Sequence, residues 1–446
     1  MLIWLALRGV NIILAALLSS ALVIVTNGLP IAEGLGDYFS FGSLGAFTFA
    51  GKFFLLFAAG AVFGRVMGES HAASSIAMAL VRKLGAQRVL WIAAIAASLL
   101  TYGGVVVFVV IFAMYPLGLK LLQKADVPKR LLCAALALGS GTYTLTALPG
   151  TPSIHNVISS VALGTDLFAG GWLGLFGGVL MFVMGMWYLE RQRLSAARLG
   201  QGFQPGPTDH SLATDPGEEH YPCWQKALLP PVLVLATILL PRLITVVLGE
   251  GVADLGKVGE LLQFANSQPI IWPSLALFGG TLVCVLLFAG LRRKALYTIG
   301  AGTQDSIMPL INTAVVIGFG GVVTHTQGFQ QFVQIMLEAP LPPLLSMFIS
   351  ISMISAITGS ASGGLQIFMS TMARGYLDMG IEPDMLHRLA TMAAGGFDSL
   401  PHCGAVVAML TITGLTHRQA YRDVGVVTVV IPVVATLAAM AVASMF

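Results

Sequence analysis

The feature that most constrains this chain is a glycine-bearing polar pattern that occurs twice inside apolar sequence. The first copy is Thr101-Tyr102-Gly103-Gly104-Val105-Val106-Val107-Phe108, and the second is Ser360-Ala361-Ser362-Gly363-Gly364-Leu365-Gln366-Ile367-Phe368. Each Gly-Gly pair is followed by a branched residue, any residue, a branched residue and Phe. Each copy then leads to a proline, Pro128 or Pro383, and to another apolar helix. Each of these helices leads to a second shared pattern, Thr146-Ala147-Leu148-Pro149 or Asp398-Ser399-Leu400-Pro401. A weaker match, Gly64-Arg65-Val66-Met67-Gly68 beside Gly321-Val322-Val323-Thr324-His325, precedes each copy. Helix-breaking positions therefore recur in one order in both halves, which weighs against chance similarity between apolar segments. Gly- and Pro-interrupted apolar segments at corresponding places point to a transporter site at a repeat interface.

Composition supplies the environment. Of the 446 residues, 56% are hydrophobic and only 10% charged, against about 25% charged in soluble domains. This is the composition of an all-α polytopic membrane protein. The net charge of +3 is carried by basic loops and does not suggest nucleic acid. Cys133, Cys223, Cys284 and Cys403 are scattered without metal or disulfide spacing, so no metal and no cofactor is expected. The apolar N-terminus lacks an obvious cleavage site and reads as the first membrane segment.

In chain order, spans are expected at about 10–28 and 53–67, with a Gly- and aromatic-rich interfacial stretch at 29–49 between them. The next two apolar arms, about 90–102 and 103–120, meet at Thr101–Gly104. The first arm has about 13 residues and would be about 20 Å long, short of the roughly 30 Å hydrocarbon core. It therefore reads as the descending arm of a re-entrant hairpin, about 88–121. Exposed backbone groups at such a tip are tolerated where protein or a water-filled cavity receives them. Gly-Gly permits the dihedrals a tip needs. A broken helix, about 128–164, follows, because two prolines within Leu148–Ser153 cannot sit in an uninterrupted helix. A span at about 167–189 closes the N-terminal half, 1–190.

Residues 191–226 read as a polar cytoplasmic loop with no domain of its own. The C-terminal half, 227–446, is expected to hold spans at about 227–249, 272–290 and 307–324. A second hairpin is expected at about 342–378, a second broken helix at about 383–414, and a last span at about 424–444. Placing Arg8, Arg82–Arg88, Lys120–Arg130, Arg191–Arg198, Lys226, Arg292–Lys294, Arg418 and Arg422 on one face puts most of the 23 Lys and Arg on the cytoplasmic side. The two repeats are then inverted and the N-terminus is cytoplasmic.

At Leu100-Thr101-Tyr102-Gly103-Gly104-Val105, Val127-Pro128-Lys129-Arg130-Leu131, Ala147-Leu148-Pro149-Gly150-Thr151-Pro152-Ser153-Ile154-His155-Asn156 and Asp398-Ser399-Leu400-Pro401-His402-Cys403-Gly404-Ala405, the chain resembles the gluconate permease (GntP-type) family. It is similar to the branch described as hydroxybutyrate permeases. The resemblance covers nearly the whole chain. It implies an inverted-repeat fold of the ion-transporter superfamily with paired re-entrant hairpins and broken helices, often as a homodimer in the bacterial inner membrane. It also implies proton-coupled uptake of a sugar acid or small hydroxy acid. Two departures bear on the ligand. The family commonly has glutamine where this chain has Ser153 and His155, and Cys403 stands where Asn is expected.

A carboxylate needs hydrogen-bond donors and the positive ends of helix dipoles in an otherwise apolar place. Half-helix N-termini supply both. Four clusters are expected to meet near the midplane. These are Thr101, Tyr102, Gly103 and Gly104 at the first tip, Thr151, Ser153, His155 and Asn156 at the first break, Ser360, Ser362, Gly363 and Gly364 at the second tip, and Asp398, Ser399 and His402 at the second break. Hydroxyls and the Asn156 amide would orient substrate oxygens, against the competing reading that each Ser or Thr back-bonds its own helix. Asp398, His402 and His155 are the candidates for carrying a coupling proton. An Asp at a helix centre costs about 2.5–3.5 kcal/mol on insertion scales and so usually has a functional partner. No basic residue reads as deep enough to pair with a substrate carboxylate.

A membrane-embedded enzyme is the rival from another class, but the chain carries no HExxH, no paired Gly-x-Gly-Asp and no phosphate-cradling loop. A sodium-coupled di- or tricarboxylate transporter of the same superfamily is the rival within transporters.

Overall fold

The computed structural model describes residues 1–8, 10–105, 107–206, 222–249 and 255–445. Every regular element among them is helical. The main helices in chain order are α1 (Ile12–Thr26), α2 (Ala46–Glu69), α3 (Ala72–Leu84), α4 (Val89–Tyr102), α5 (Val107–Ala125), α6 (Lys129–Gly141) and α7 (Ile154–Leu163). They are followed by α8 (Gly171–Arg198), α9 (Trp224–Leu248), α10 (Lys257–Ser267), α11 (Ile271–Leu287), α12 (Ala295–Thr324) and α13 (Gln327–Glu338). The last five are α14 (Pro343–Thr358), α15 (Ala361–Thr371), α16 (Pro383–Phe397), α17 (Gly404–Thr413) and α18 (His417–Ala443). Among the described residues, five helices are long and apolar enough to cross a membrane, or six if α10 and α11, bent by 103°, count as one.

Packing divides the helices into two groups. Helices α1, α2, α9, α11 and α12 form one, with α2 lying along α12 and against α11, and α9 against α11. The second group contains both helix-turn-helix units and both interrupted helices. Within it α4 packs on α5 and α6, α14 on α15 and α16, and α18 on α8 and α16. Small residues let these helices approach closely. A Cβ on Gly139 of α6 would lie 2.8 Å from the Ala97 Cβ of α4, and such contacts are how membrane helices associate without a hydrophobic force between them.

Proline and glycine set the interruptions as expected from the sequence. Helix α4 stops at Tyr102 and α5 starts at Val107. The turn between them contains Gly104 at φ +95°, a dihedral that a side chain would strain. Helix α6 gives way to one short helical turn (Tyr143–Thr146), then to a turn at 147–150 and the irregular residues 151–153 before α7. Helix α16 ends at Phe397 and α17 begins at Gly404.

Several sequence expectations are corrected. The second turn lies at Gly359–Ser360, with Gly359 at φ +61°. Ser362, Gly363 and Gly364, expected at the tip, lie in the first turns of α15. Gly364 is there for packing, since a Cβ would press on the Ser355 backbone, 2.7 Å from its Cα. The second span starts at Ala46 and not near 53, and the 29–49 stretch contains a π-helical run, Gly34–Phe41. Helix α8 continues to Arg198, so the polar loop begins at 199; residues 207–221 of that loop lie outside the described residues. Helix α12 begins at Ala295, a dozen residues before the expected 307. The region between the 227–249 and 272–290 spans contains α10, which the sequence reading left unassigned.

Candidate functional site

At the first tip, Tyr102 ends α4 and its Oη donates to the Pro149 carbonyl at 2.8 Å. A Cβ on Gly104 would stand 3.4 Å from Pro152 Cγ. The first tip and the first break are therefore in contact. The break is non-helical because Pro149 and Pro152 cannot donate to a helical ladder. Ser153 then caps α7: its Oγ accepts from the Asn156 N–H (3.3 Å) and donates to the Leu145 carbonyl (2.6 Å). The Asn156 amide donates to the carbonyls of Thr151 and Leu167, both at 2.9 Å. Ser153 and Asn156, both expected to touch substrate, are thus engaged in holding the break. Thr101 Oγ1, Thr151 Oγ1 and His155 Nδ1 are buried atoms with no hydrogen-bond partner among the described residues. A buried polar group without a partner is costly and calls for an explanation.

At the second tip, Ser360 caps α15, accepting from the Gly363 N–H at 3.2 Å and lying 3.2 Å from Ser362 Oγ. The His402 ring packs on Gly359, and its Nε2 donates to the Ala356 carbonyl at 3.0 Å. A Cβ at Gly359 would come within 2.7 Å of His402 Cδ2. The second tip and second break therefore also touch. Asp398 is half-buried at the end of α16. Its carboxylate accepts from Ser399 Oγ at 2.9 Å and faces the backbone N–H of Ala361, the first residue of α15. The positive end of a helix dipole favours a carboxylate there. The carbonyls of the break are held by Tyr421, donating to Ser399 O (3.1 Å), and His417, donating to Pro401 O (2.7 Å). Ser352 Oγ and Ser355 Oγ on α14, and Asn312 Oδ1 on α12, are further buried atoms without a partner among the described residues. None of the three was expected from sequence.

The two tip-and-break pairs are joined through α7, which packs on α15 and α16, with Ser159 Oγ and Thr391 Oγ1 2.8 Å apart. On the other side α17 packs on α5, and Tyr115 Oη donates to the Thr413 carbonyl at 2.9 Å. A cleft of about 520 Å³ lined by Lys129, Arg130, Gln201 and Gln419 holds none of the expected site residues.

No basic residue was expected to be deep enough to pair with a substrate carboxylate; Arg388 of α16 is fully buried, but its donors go to backbone carbonyls. Its Nε donates to Ala169 O (3.0 Å), Nη2 to Leu167 O (3.2 Å) and Nη1 to Leu148 O (3.5 Å). Asp166, in the loop it reaches, is paired to Arg242 at 2.9 Å. The neighbouring His387 is also buried, with Nε2 2.8 Å from Asn156 Oδ1 and Nδ1 2.7 Å from Thr165 Oγ1. The sequence signal was a His-Arg pair one turn into an apolar broken helix, where an ionisable residue is by default functional.

The comparisons agree with this architecture. The GntP family permease description matches residues 1–446. An uncharacterized transporter of Bacillus subtilis, YxjC, is 34% identical over 96% of this chain and 94% of its own length. An uncharacterized transporter of Haemophilus influenzae is 25% identical over 78% of this chain and 74% of its own. The crystal structure of the Alcanivorax borkumensis YdaH transporter superposes with a TM-score of 0.52 at 16% identity, covering 96% of this chain and 95% of that one, a likeness of fold. With a family match over its full length and a relative above 30% identity across nearly all of it, the chain belongs to the GntP permease family.

Proposed function

We propose that this permease imports a small hydroxy-carboxylate, a gluconate-like sugar acid or a 3-hydroxybutyrate-like acid, by proton symport with alternating access. In this reading the two helix-turn-helix units are re-entrant hairpins of an inverted repeat, 1–190 and 227–446, joined by a cytoplasmic loop. The N-terminus is cytoplasmic, and the protein is a homodimer in the inner membrane. The substrate sits between the two tip-and-break pairs. Thr101 and Thr151 offer hydroxyls to it, helped by the N-terminal ends of α7 and α15. Ser153, Asn156 and Ser360 shape the site from behind. Asp398, with His402 and His155, carries the coupling proton.

The observation that carries this reading is the position of Asp398. It is a half-buried carboxylate at the N-terminus of α15, bonded to a hydroxyl and facing backbone N–H, in a segment where an unpaired charge is costly. Such a group can take a proton when the anion binds and lose it when the anion leaves. Uptake into proteoliposomes under an inward proton gradient without sodium tests the proposal, with labelled gluconate and labelled 3-hydroxybutyrate offered separately. Accumulation abolished by a protonophore is expected. Uptake that collapses only when sodium is replaced by choline at fixed pH would instead support the sodium-coupled carboxylate reading.

A further inference from the structure

We propose that Arg388, together with His387, is a positioning residue of the first break. From the second half of the chain it fixes the backbone that presents Thr151 and the first turn of α7 to substrate. This rests on the reading of that break as part of the transport site.

The prolines at 149 and 152 carry no N–H, so two positions of the break cannot donate. Two consecutive carbonyls at its start are bonded from different halves of the molecule. Leu148 O accepts from Arg388 of α16, and Pro149 O accepts from Tyr102 of the first tip. Arg388 also takes the carbonyls of Leu167 and Ala169, in the loop after α7. Leu167 O in turn receives the Gly150 N–H at 2.8 Å and the Asn156 amide. One guanidinium thus gathers both backbone strands that flank α7. A planar fork of donors suits this task, and a single ammonium does not.

The slot for the side chain is built for it. A Cβ on Gly170, itself at φ +56°, would come within 2.6 Å of Arg388 Cβ, and one on Gly174 within 2.8 Å of its Cδ. His387 adds a second tie. The two carbonyls facing Asn156 Nδ2 fix the amide orientation, so Asn156 Oδ1 accepts and His387 Nε2 donates. His387 Nδ1 then accepts from the Thr165 hydroxyl.

Arg130 of the other broken helix behaves differently. Arg130 of α6 pairs with the buried carboxylate of Asp423, which also accepts from Tyr188 Oη at 2.8 Å. That is an ion pair between helices. Arg388 has backbone carbonyls in its place, and those carbonyls border Thr151, whose hydroxyl is one of the unsatisfied groups. Loosening Arg388 should therefore disturb substrate affinity before it disturbs the fold.

The test compares the full chain with Arg388→Lys and Arg388→Gln in nanodiscs and proteoliposomes. Amide hydrogen exchange should quicken by about tenfold or more at 147–157 and 165–170, with α2 and α12 unchanged. Parental exchange in those segments, or uniform quickening everywhere, overturns the proposal. In uptake of labelled gluconate and 3-hydroxybutyrate, Arg388→Gln should raise KM by about tenfold with kcat within about threefold, and Arg388→Lys should fall between it and the parent. Unchanged KM, or a loss confined to kcat, also overturns it. Failure of the parent to take up either acid overturns the substrate reading alone, and hydrogen exchange still decides the role of Arg388. If Arg388→Gln does not insert, Arg388→Lys and His387→Gln answer the same questions.

Discussion

Thr151 and Ser153 are two residues apart and have the same chemistry, yet their hydroxyls are bonded differently. The Ser153 hydroxyl caps α7 and bonds the Leu145 carbonyl, whereas the buried Thr151 hydroxyl has no partner among the described residues. Ser153→Ala should cost about 1 kcal/mol of stability, as loss of an N-cap does, and lower the thermal midpoint of the purified protein. Thr151→Val should leave that midpoint unchanged or raise it, because it removes an unsatisfied buried group, while raising KM for uptake. A Thr151→Val variant with parental KM would remove that hydroxyl from the site. Asp398→Asn should abolish accumulation driven by a proton gradient and retain part of substrate exchange. Accumulation equal to the parent's would show that Asp398 is not the coupling group. Asp398 was legible in sequence because a carboxylate in an apolar segment stands out. Arg388 was not legible as a site residue. Its burial comes from the loop after α7 and from the glycines of α8, which only the fold brings there.

At the scale of elements, the interruptions were legible and the helix ends were not. Proline and glycine break a helix by local chemistry, so the 147–153 and 398–403 breaks and the turn at Gly104 were readable from the chain. Helix length is set by packing, which is why α8 runs on to Arg198 and α12 starts at Ala295. The two Gly-Gly pairs are alike in sequence and different in use. Gly103–Gly104 forms a turn, whereas Gly363–Gly364 allows α14 and α15 to touch at Ser355. Gly104→Val should therefore end transport without preventing membrane insertion, since it strains the turn and crowds Leu277 beside it. Gly364→Val should instead lower the thermal midpoint by separating the two arms. If Gly104→Val transports normally, the turn is not part of the site.

At the scale of the whole molecule, the two broken helices reach across to each other's half. Arg130 of α6 meets Asp423 of α18, and Arg388 of α16 meets the loop between α7 and α8. Asp423 is 1% exposed, so Asp423→Asn leaves Arg130 without its carboxylate partner and should destabilise the fold by about 3–5 kcal/mol, read as a fall in thermal midpoint. That cross-bracing links residues 293 positions apart, and nothing in the local pattern around either residue announces it. The repeated motifs made the two sets of helix interruptions readable, but the contacts between them depend on side chains that the motifs do not share.

In the proposed function a proton gradient drives uptake of a small hydroxy acid. The most direct test loads the purified protein into sodium-free proteoliposomes, imposes an inward proton gradient and supplies labelled gluconate or labelled 3-hydroxybutyrate. Accumulation above equilibrium of either acid, lost on adding a protonophore and lost in Asp398→Asn, is the predicted result. Equilibration without accumulation, or no uptake of either acid, would contradict it.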